Sequence, residues 1–425
     1  QRLVSLADGK CLIHAGGDVL LEAACYGAGK VVLWNEYAWM SHSVLGPVYG
    51  MDNIVWRSMV WAAKKPFIMQ GLPPFVTMRV DDVWGSAKSG QTEDPLYWVG
   101  VCNKYGIKPW LGLFIDNISE HSTKCVKSYV DKGKATAFPH AFAGYVKTVG
   151  DPSKPEHWLY YDHWNKRDYS DEVMEENAKR AEKWHLGNSI PISKLALSHY
   201  YEMGRNALKY ILKWDCEFIG VHMQPGGAYL DKSDWVKGGP FRNYEKGIRG
   251  EPRPLYYAHY LEVDDMPEMN GKLFNCVTEI RDTSGYEWAP TNDVEKTIQV
   301  GVLHLRRSFD EMTLASLFTH ESDYIQYITP DNWERIIKGI SEKISGYSPI
   351  FVTFEEACKY IRAKHNLKIL DAGLNDGMLE LELDGKNDMP TKCYLFTEKS
   401  SGEIEYEFVE IPQINGKQRC NICLK

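Results

Sequence analysis

Between residues 75 and 320, short apolar runs alternate with segments of helical periodicity, and this alternation limits the fold more than any other feature of the chain. The runs cover 75–80, 108–115, 134–138, 194–197, 217–221 and 315–319. Segments such as 170–184 and 206–214 carry the helical pattern, and Ser170 followed by Asp171 and Glu172 is a good helix start. Alternating βα units of this length require parallel strands joined by crossover helices. The expected fold class is α/β, an irregular barrel rather than an open dinucleotide-binding sheet, because no G-x-G-x-x-G follows the first strand.

The rest of the chain is organised around that core. Residues 1–72 read as a partial α/β unit, with Val31-Val32-Leu33-Trp34 as a buried strand and 54–63 as an amphipathic helix. Residues 231–290 break the rhythm as a long insertion marked by Gly238-Gly239-Pro240 and Pro252-Arg253-Pro254. Leu379-Glu380-Leu381-Glu382-Leu383 and Ile404-Glu405-Tyr406-Glu407-Phe408 alternate apolar and acidic residues, the pattern of half-exposed antiparallel strands. The expected domains are therefore 1–72, 73–365 with its insertion, and a small all-β domain over 366–425.

Charge excludes one class of partner. A net charge of −8 argues against nucleic acid, whose phosphates call for basic surface. No apolar run reaches the ~20 residues needed for a membrane span. The 14 Trp and 25 Tyr suit either a packed core or stacking on sugar C–H faces. Of ten Cys only Cys420-x-x-Cys423 is tightly spaced, with no second pair beside it, so neither zinc nor redox chemistry is read from it. Gln1 is not an initiator Met, so a trimmed form is expected, in an extracellular or periplasmic bacterial setting.

The chemistry is expected where the runs end. The first closes in Asp81-Asp82, the second in Asp116-Asn117, and the others in His140, His199, His222 and His320. In parallel α/β barrels the C-terminal strand ends converge on the active site. Asp together with neutral His suits zinc or another divalent ion, with manganese, cobalt and nickel as alternatives. Adjacent strand residues point to opposite faces, so both carboxylates serve one site only if the chain leaves strand geometry at Asp81. A lone His after a strand is more often structural, so the weight rests on the whole set.

These residues resemble the polysaccharide deacetylases with a NodB-homology domain, over roughly residues 73–365. Arg79-Val80-Asp81-Asp82 stands where that family has Thr-Phe-Asp-Asp, which implies Asp81 as catalytic base and Asp82 as metal ligand. Ala137-Phe138-Pro139-His140 matches the first of the family's two metal histidines, but the second position is Gly144. Tyr161-Asp162-His163 is the nearest replacement, making His163 the candidate third ligand. The Arg-x-Pro-x-Gly region corresponds to 198–204 and has no Arg, so whatever restrains Asp81 must differ here. Leu317-Phe318-Thr319-His320 matches the last motif and implies His320 as proton donor to the departing amine.

The resemblance implies an irregular (β/α)7-type deacetylase barrel and a divalent-metal hydrolase acting on an N-acetylated sugar. The layout is also similar to bacterial deacetylases of terminal N-acetylgalactosamine of the blood-group-A type, and 1–72 resemble the end of an amidotransferase-like domain. Trp84, Trp110, Tyr161, Trp164, His199, Tyr200, Glu202, His222 and Gln224 are the candidate sugar contacts at the rim. Two alternatives stand beside this reading. One is a glycoside hydrolase pairing Asp82 with Asp116 or Glu202; the other is a non-catalytic carbohydrate-binding protein on the same scaffold.

Overall fold

The computed structural model describes residues 6, 8–35, 53–86, 93–143, 158–221, 223–228, 243–246, 252–255, 258–263, 265–276 and 287–424. His222, Gly144 and half of the 231–290 insertion lie outside them.

In the partial α/β unit expected over residues 1–72, the strands β1 (Lys10–Ala15), β2 (Asp18–Tyr26) and β3 (Gly29–Trp34) form an antiparallel meander. Val31 is exposed rather than buried, on the face of β3 opposite its half-buried neighbours Lys30 and Val32. Helix α1 (Ile54–Ala62) follows, and then β4 (Phe67–Gln70), which pairs near the other end of the chain.

The central region follows the predicted alternation closely. Its first half runs β5 (Phe75–Val83), α2 (Tyr97–Lys104), β6 (Pro109–Phe114), α3 (Glu120–Asp131), β7 (Thr136–Ala141) and α4 (Asp171–Asn188). It continues through β8 (Leu195–Ala196), α5 (Leu208–Lys213), β9 (Phe218–Ile219), β10 (Asn243–Lys246), β11 (Pro252–Leu255), β12 (Ala258–Tyr260) and β13 (Phe274–Cys276). Helix α6 (Val294–Glu311), β14 (Ala315–His320), α7 (Pro330–Ile344), β15 (Ile350–Phe351) and α8 (Phe354–His365) complete it. All nine residues of β5 are buried, as expected of a parallel strand covered on both faces. Helices α4, α6, α7 and α8 start on side-chain caps, with Ser170 on Val173 N, Asp293 on Lys296 N and Thr329 on Asn332 N, while Thr353 and Glu356 form a capping box.

The expected closed barrel is not formed among the described residues. The strands divide into one parallel sheet in the order β14-β5-β6-β7, with β15 also on β5, and a second sheet in the order β12-β13-β9-β8. The sheets meet where Ser193 N–H donates to Ala137 O at 2.8 Å. Closure needs a register carried continuously around the ring, and β8 and β9, two residues each, are too short to carry it.

The C-terminal segment is all strand: β16 (Leu367–Asn375), β17 (Met378–Gly385), β18 (Thr391–Glu398), β19 (Ile404–Ile411) and β20 (Gln418–Cys423). One antiparallel sheet runs β16-β17-β20 and the other β19-β18-β4, so the strand that precedes β5 joins the C-terminal strands. In β17 Leu379, Leu381 and Leu383 point inward, as the alternation predicted. All ten cysteines are free thiols. Among the described residues no helix is long and apolar enough to cross a membrane.

One buried group makes stability depend on acid. His185 in α4 donates from Nδ1 to Ile190 O at 3.0 Å, while its buried Nε2 has no partner. Burial pulls its pKa from 6.5 down to about 4. The unfolded ring therefore takes a proton before the folded one does. Stability is full above pH 6.5 and falls as the pH drops from there to about 4, by about 3 kcal/mol at most. His185→Phe should flatten the fall of the urea midpoint over that window. An unchanged slope would mean that other groups carry the acid sensitivity.

Candidate active site

The site begins with strand alternation. Arg79 and Asp81, two apart on β5, project to the same face. Arg79 Nε donates to Asp81 Oδ1 at 2.7 Å and Nη2 donates to Oδ2, a two-pronged pair buried on both sides. The guanidinium lies 4.1 Å from the Phe318 ring and 4.9 Å from the Tyr201 ring. Paired and stacked, the buried charge is compensated. This is the restraint on Asp81 that residues 198–204 lack, supplied instead from its own strand.

The chain then leaves strand geometry, as two carboxylates in one site require. Asp82 adopts φ +59°, and pairing with β6 slips between Val80 and Val83, a β-bulge. Both carboxylates therefore flank one ring: His140 Nε2 stands 3.4 Å from Asp81 Oδ2 and 3.7 Å from Asp82 Oδ1.

Three donors then converge. His199 Nδ1 is 3.2 Å from Asp82 Oδ1, and Asp82, His140 and His199 each offer an atom within 4.8 Å of the others. His140 donates its Nδ1 hydrogen to Leu197 O at 2.8 Å, which leaves the Nε2 lone pair facing the carboxylates. Burial pulls the His140 pKa down to about 4, so the ring is neutral at neutral pH. Burial pushes the Asp82 carboxyl up, but the His199, His320 and His140 rings together hold it well below the usual range. Asp82 Oδ1 is buried with no hydrogen bond. A buried carboxylate oxygen facing two imidazole nitrogens is a donor set that could hold a divalent ion, and these residues fit one.

On the neighbouring strand His320 lies in register with Asp81. Its buried Nδ1 makes no hydrogen bond and stands 3.8 Å from Glu287 Oε1, a carboxylate steadied by the Tyr324 hydroxyl at 2.8 Å. Burial lowers the His320 pKa, but the Asp82, Asp81 and Glu287 carboxylates outweigh it and the net direction is up. The arrangement suits a group that keeps its proton until it is needed.

Other candidates stand differently from expectation. His163 does not join the donor group: its Nδ1 donates to Glu202 Oε2 at 2.7 Å, and its ring stacks on Trp158 at 4.1 Å. The third position beside Asp82 and His140 is taken by His199, which was expected as a sugar contact. Trp110 is fully buried, with Nε1 donating to Ser193 Oγ and Leu195 O, both at 3.2 Å. Tyr161 is buried with its hydroxyl on Gly226 O at 3.2 Å, and Gln224 is buried with its amide on Glu262 O at 3.1 Å. These three side chains pack beneath the rim instead of presenting a face to sugar. Trp84 and Tyr200 are half-buried and Trp164 is 37% exposed, so they remain accessible. Asp116 turns outward to Arg180.

Sequence reasoning missed Arg79, Trp158, Glu287 and Glu321. Arg79 carried a readable signal, a lone cation in an apolar strand two residues before a carboxylate. Trp158 packs on His163 and, at 4.9 Å, on His199, a contact no local pattern announces.

No family model matches the sequence, and no curated protein does. Among solved structures the fold is similar to that of a putative polysaccharide deacetylase from Mycobacterium smegmatis, at 10% identity and a TM-score of 0.41, over 72% of this chain and 96% of that one. It is similar to a family 4 carbohydrate esterase from Streptomyces lividans in complex with acetate, at 11% identity and a TM-score of 0.32, over 66% and 92%. It is also similar to Agd3, described as a novel carbohydrate deacetylase, at 9% identity and a TM-score of 0.44, over 96% and 73%.

Proposed function

We propose that this protein is a metal-dependent carbohydrate deacetylase that removes the acetyl group from an N-acetylated sugar. The observation that carries the proposal is the buried Asp82 Oδ1, free of hydrogen bonds and facing two imidazoles, with Asp81 fixed beside it by Arg79. Asp82, His140 and His199 would hold the ion, zinc first, with manganese, cobalt or nickel compatible with the same donors. A divalent ion there supplies Lewis acidity toward a carbonyl oxygen and lowers the pKa of water from 15.7 toward ~7.

The side chains do the rest. Asp81 has both oxygens fixed by Arg79, and each keeps a lone pair to receive the proton of the attacking water. His320 delivers its proton to the departing amine, without which the C–N bond does not break. Each acid–base step contributes about 10²–10⁴ in rate. The amides of Trp84, Gly85 and Ser86 are directed at Glu321, so they do not serve as oxyanion donors. Trp84, Tyr200 and Trp164 are assigned to the sugar faces, and His163, oriented by Glu202, to a sugar hydroxyl. Glycoside cleavage would need a second available acid, and Asp116 and Glu202 are committed to Arg180 and His163.

The ligand assignment is tested by a pair of variants. His199→Ala should lower zinc retention, measured by dialysis and elemental analysis, by more than about 100-fold, beyond the usual loss from a merely supporting residue. His163→Ala should retain zinc and lose affinity for sugar. The reverse pattern would restore His163 as the third ligand. A panel of N-acetyl sugars that includes terminal N-acetylgalactosamine then identifies the substrate.

A further inference from the structure

Glu321 follows His320 and is fully buried. Its Oε2 accepts the backbone N–H groups of Trp84 at 2.8 Å, Gly85 at 2.8 Å and Ser86 at 3.1 Å, together with the Ser86 hydroxyl at 3.3 Å. Its Oε1 accepts Trp98 Nε1 at 2.9 Å. Three successive amides reach one oxygen only when the backbone curls around it, and Gly85 at φ +80° permits the curl. The backbone N–H of Glu321 donates in turn to Asp81 O at 3.0 Å.

One residue therefore grips the bulge at both ends, and Asp82 lies between the two grips. A non-glycine residue at φ +59° persists only where its surroundings hold it there. Without the bulge, alternation would turn the Asp82 carboxylate to the face opposite Asp81.

We propose that Glu321 is a positioning residue for the metal site, holding residues 81–86 in the curl that aims the Asp82 carboxylate at His140 and His199, an inference that rests on Asp82 being a ligand. Glu321→Gln removes the charge on which the three N–H groups converge and, in either orientation, sets an N–H₂ against a donor, whereas Trp98→Phe keeps the charge. Its amide either faces the Trp98 N–H, donor against donor, or turns toward the three backbone N–H groups.

Cobalt(II) binding to the full chain, followed by visible absorption, reports affinity and ligand geometry together. Glu321→Gln should bind cobalt about 10- to 100-fold more weakly than the wild type, with an altered spectrum. The amides of Trp84, Gly85 and Ser86 should exchange deuterium faster. Trp98→Phe disturbs the same carboxylate from its other oxygen and leaves the amides in place, so it should bind cobalt as the wild type does. If Glu321→Gln does not fold, Glu321→Asp, one methylene shorter, should show the same loss in smaller measure. Wild-type affinity and spectrum in the folded Glu321 variant would overturn the inference. So would equal losses in it and in Trp98→Phe, which would indicate general loosening. A wild-type chain that takes up no cobalt would overturn the metal reading itself and this inference with it.

Discussion

Asp82→Ala is expected to abolish metal binding, lowering affinity by more than the about 100-fold that loss of a supporting residue costs. The carboxylate is the one anionic donor of the group, and the other two donors are His140 and His199. Two imidazoles alone make a weak site for a hard or borderline cation. The fold should survive the change with some loss of stability, because the carboxylate's attraction to the His199, His320 and His140 rings is given up. Zinc stoichiometry after dialysis, with the thermal midpoint of the metal-free protein as control, measures both. Full occupancy in the variant would remove Asp82 from the ligand set.

Asp81→Asn should keep its metal and lose turnover by about 10²–10⁴, the contribution of one general base. Asparagine cannot take the proton of the attacking water. The variant should also lose stability, because one prong of the Arg79 pair would meet an amide N–H₂ in place of an oxygen. A buried charge left partly uncompensated costs about 3–5 kcal/mol. The kinetic and stability effects separate in Arg79→Lys, which keeps the charge but not the planar fork. That variant should retain part of the activity with a shifted pH profile. Near-normal turnover in Asp81→Asn would assign the base to another residue.

The parts of this site that were legible in the sequence are those set by local rules. The apolar runs became strands within a few residues of their expected bounds, and β5 carries Asp81 and Asp82, β7 His140 and β14 His320, each near its C-terminal end. The need for a break at Asp81 followed from alternation alone, and the bulge supplies it. The third donor was not legible. His199 begins a 3₁₀ turn in which Tyr200 and Tyr201 are both left-handed, and that turn sets the direction of its ring. His163, matched by motif order, is instead drawn to Glu202, 39 positions later. A closed barrel is not found among the described residues: run length predicts a strand but not its pairing, and β8 and β9 pair over only two residues each. Trp110 and Tyr161 carry the composition of sugar contacts, but their polar atoms bond backward into the core.

The central claim is that Asp82, His140 and His199 hold a divalent ion with which Asp81 and His320 remove an acetyl group. Acetate release from a panel of N-acetylated and O-acetylated glycans, with and without chelator and with zinc, manganese or cobalt restored, tests it most directly. The account predicts acetate from an N-acetyl sugar, lost on chelation and recovered with metal. Acetate release indifferent to chelator, or a shortened glycan with no acetate, would contradict it.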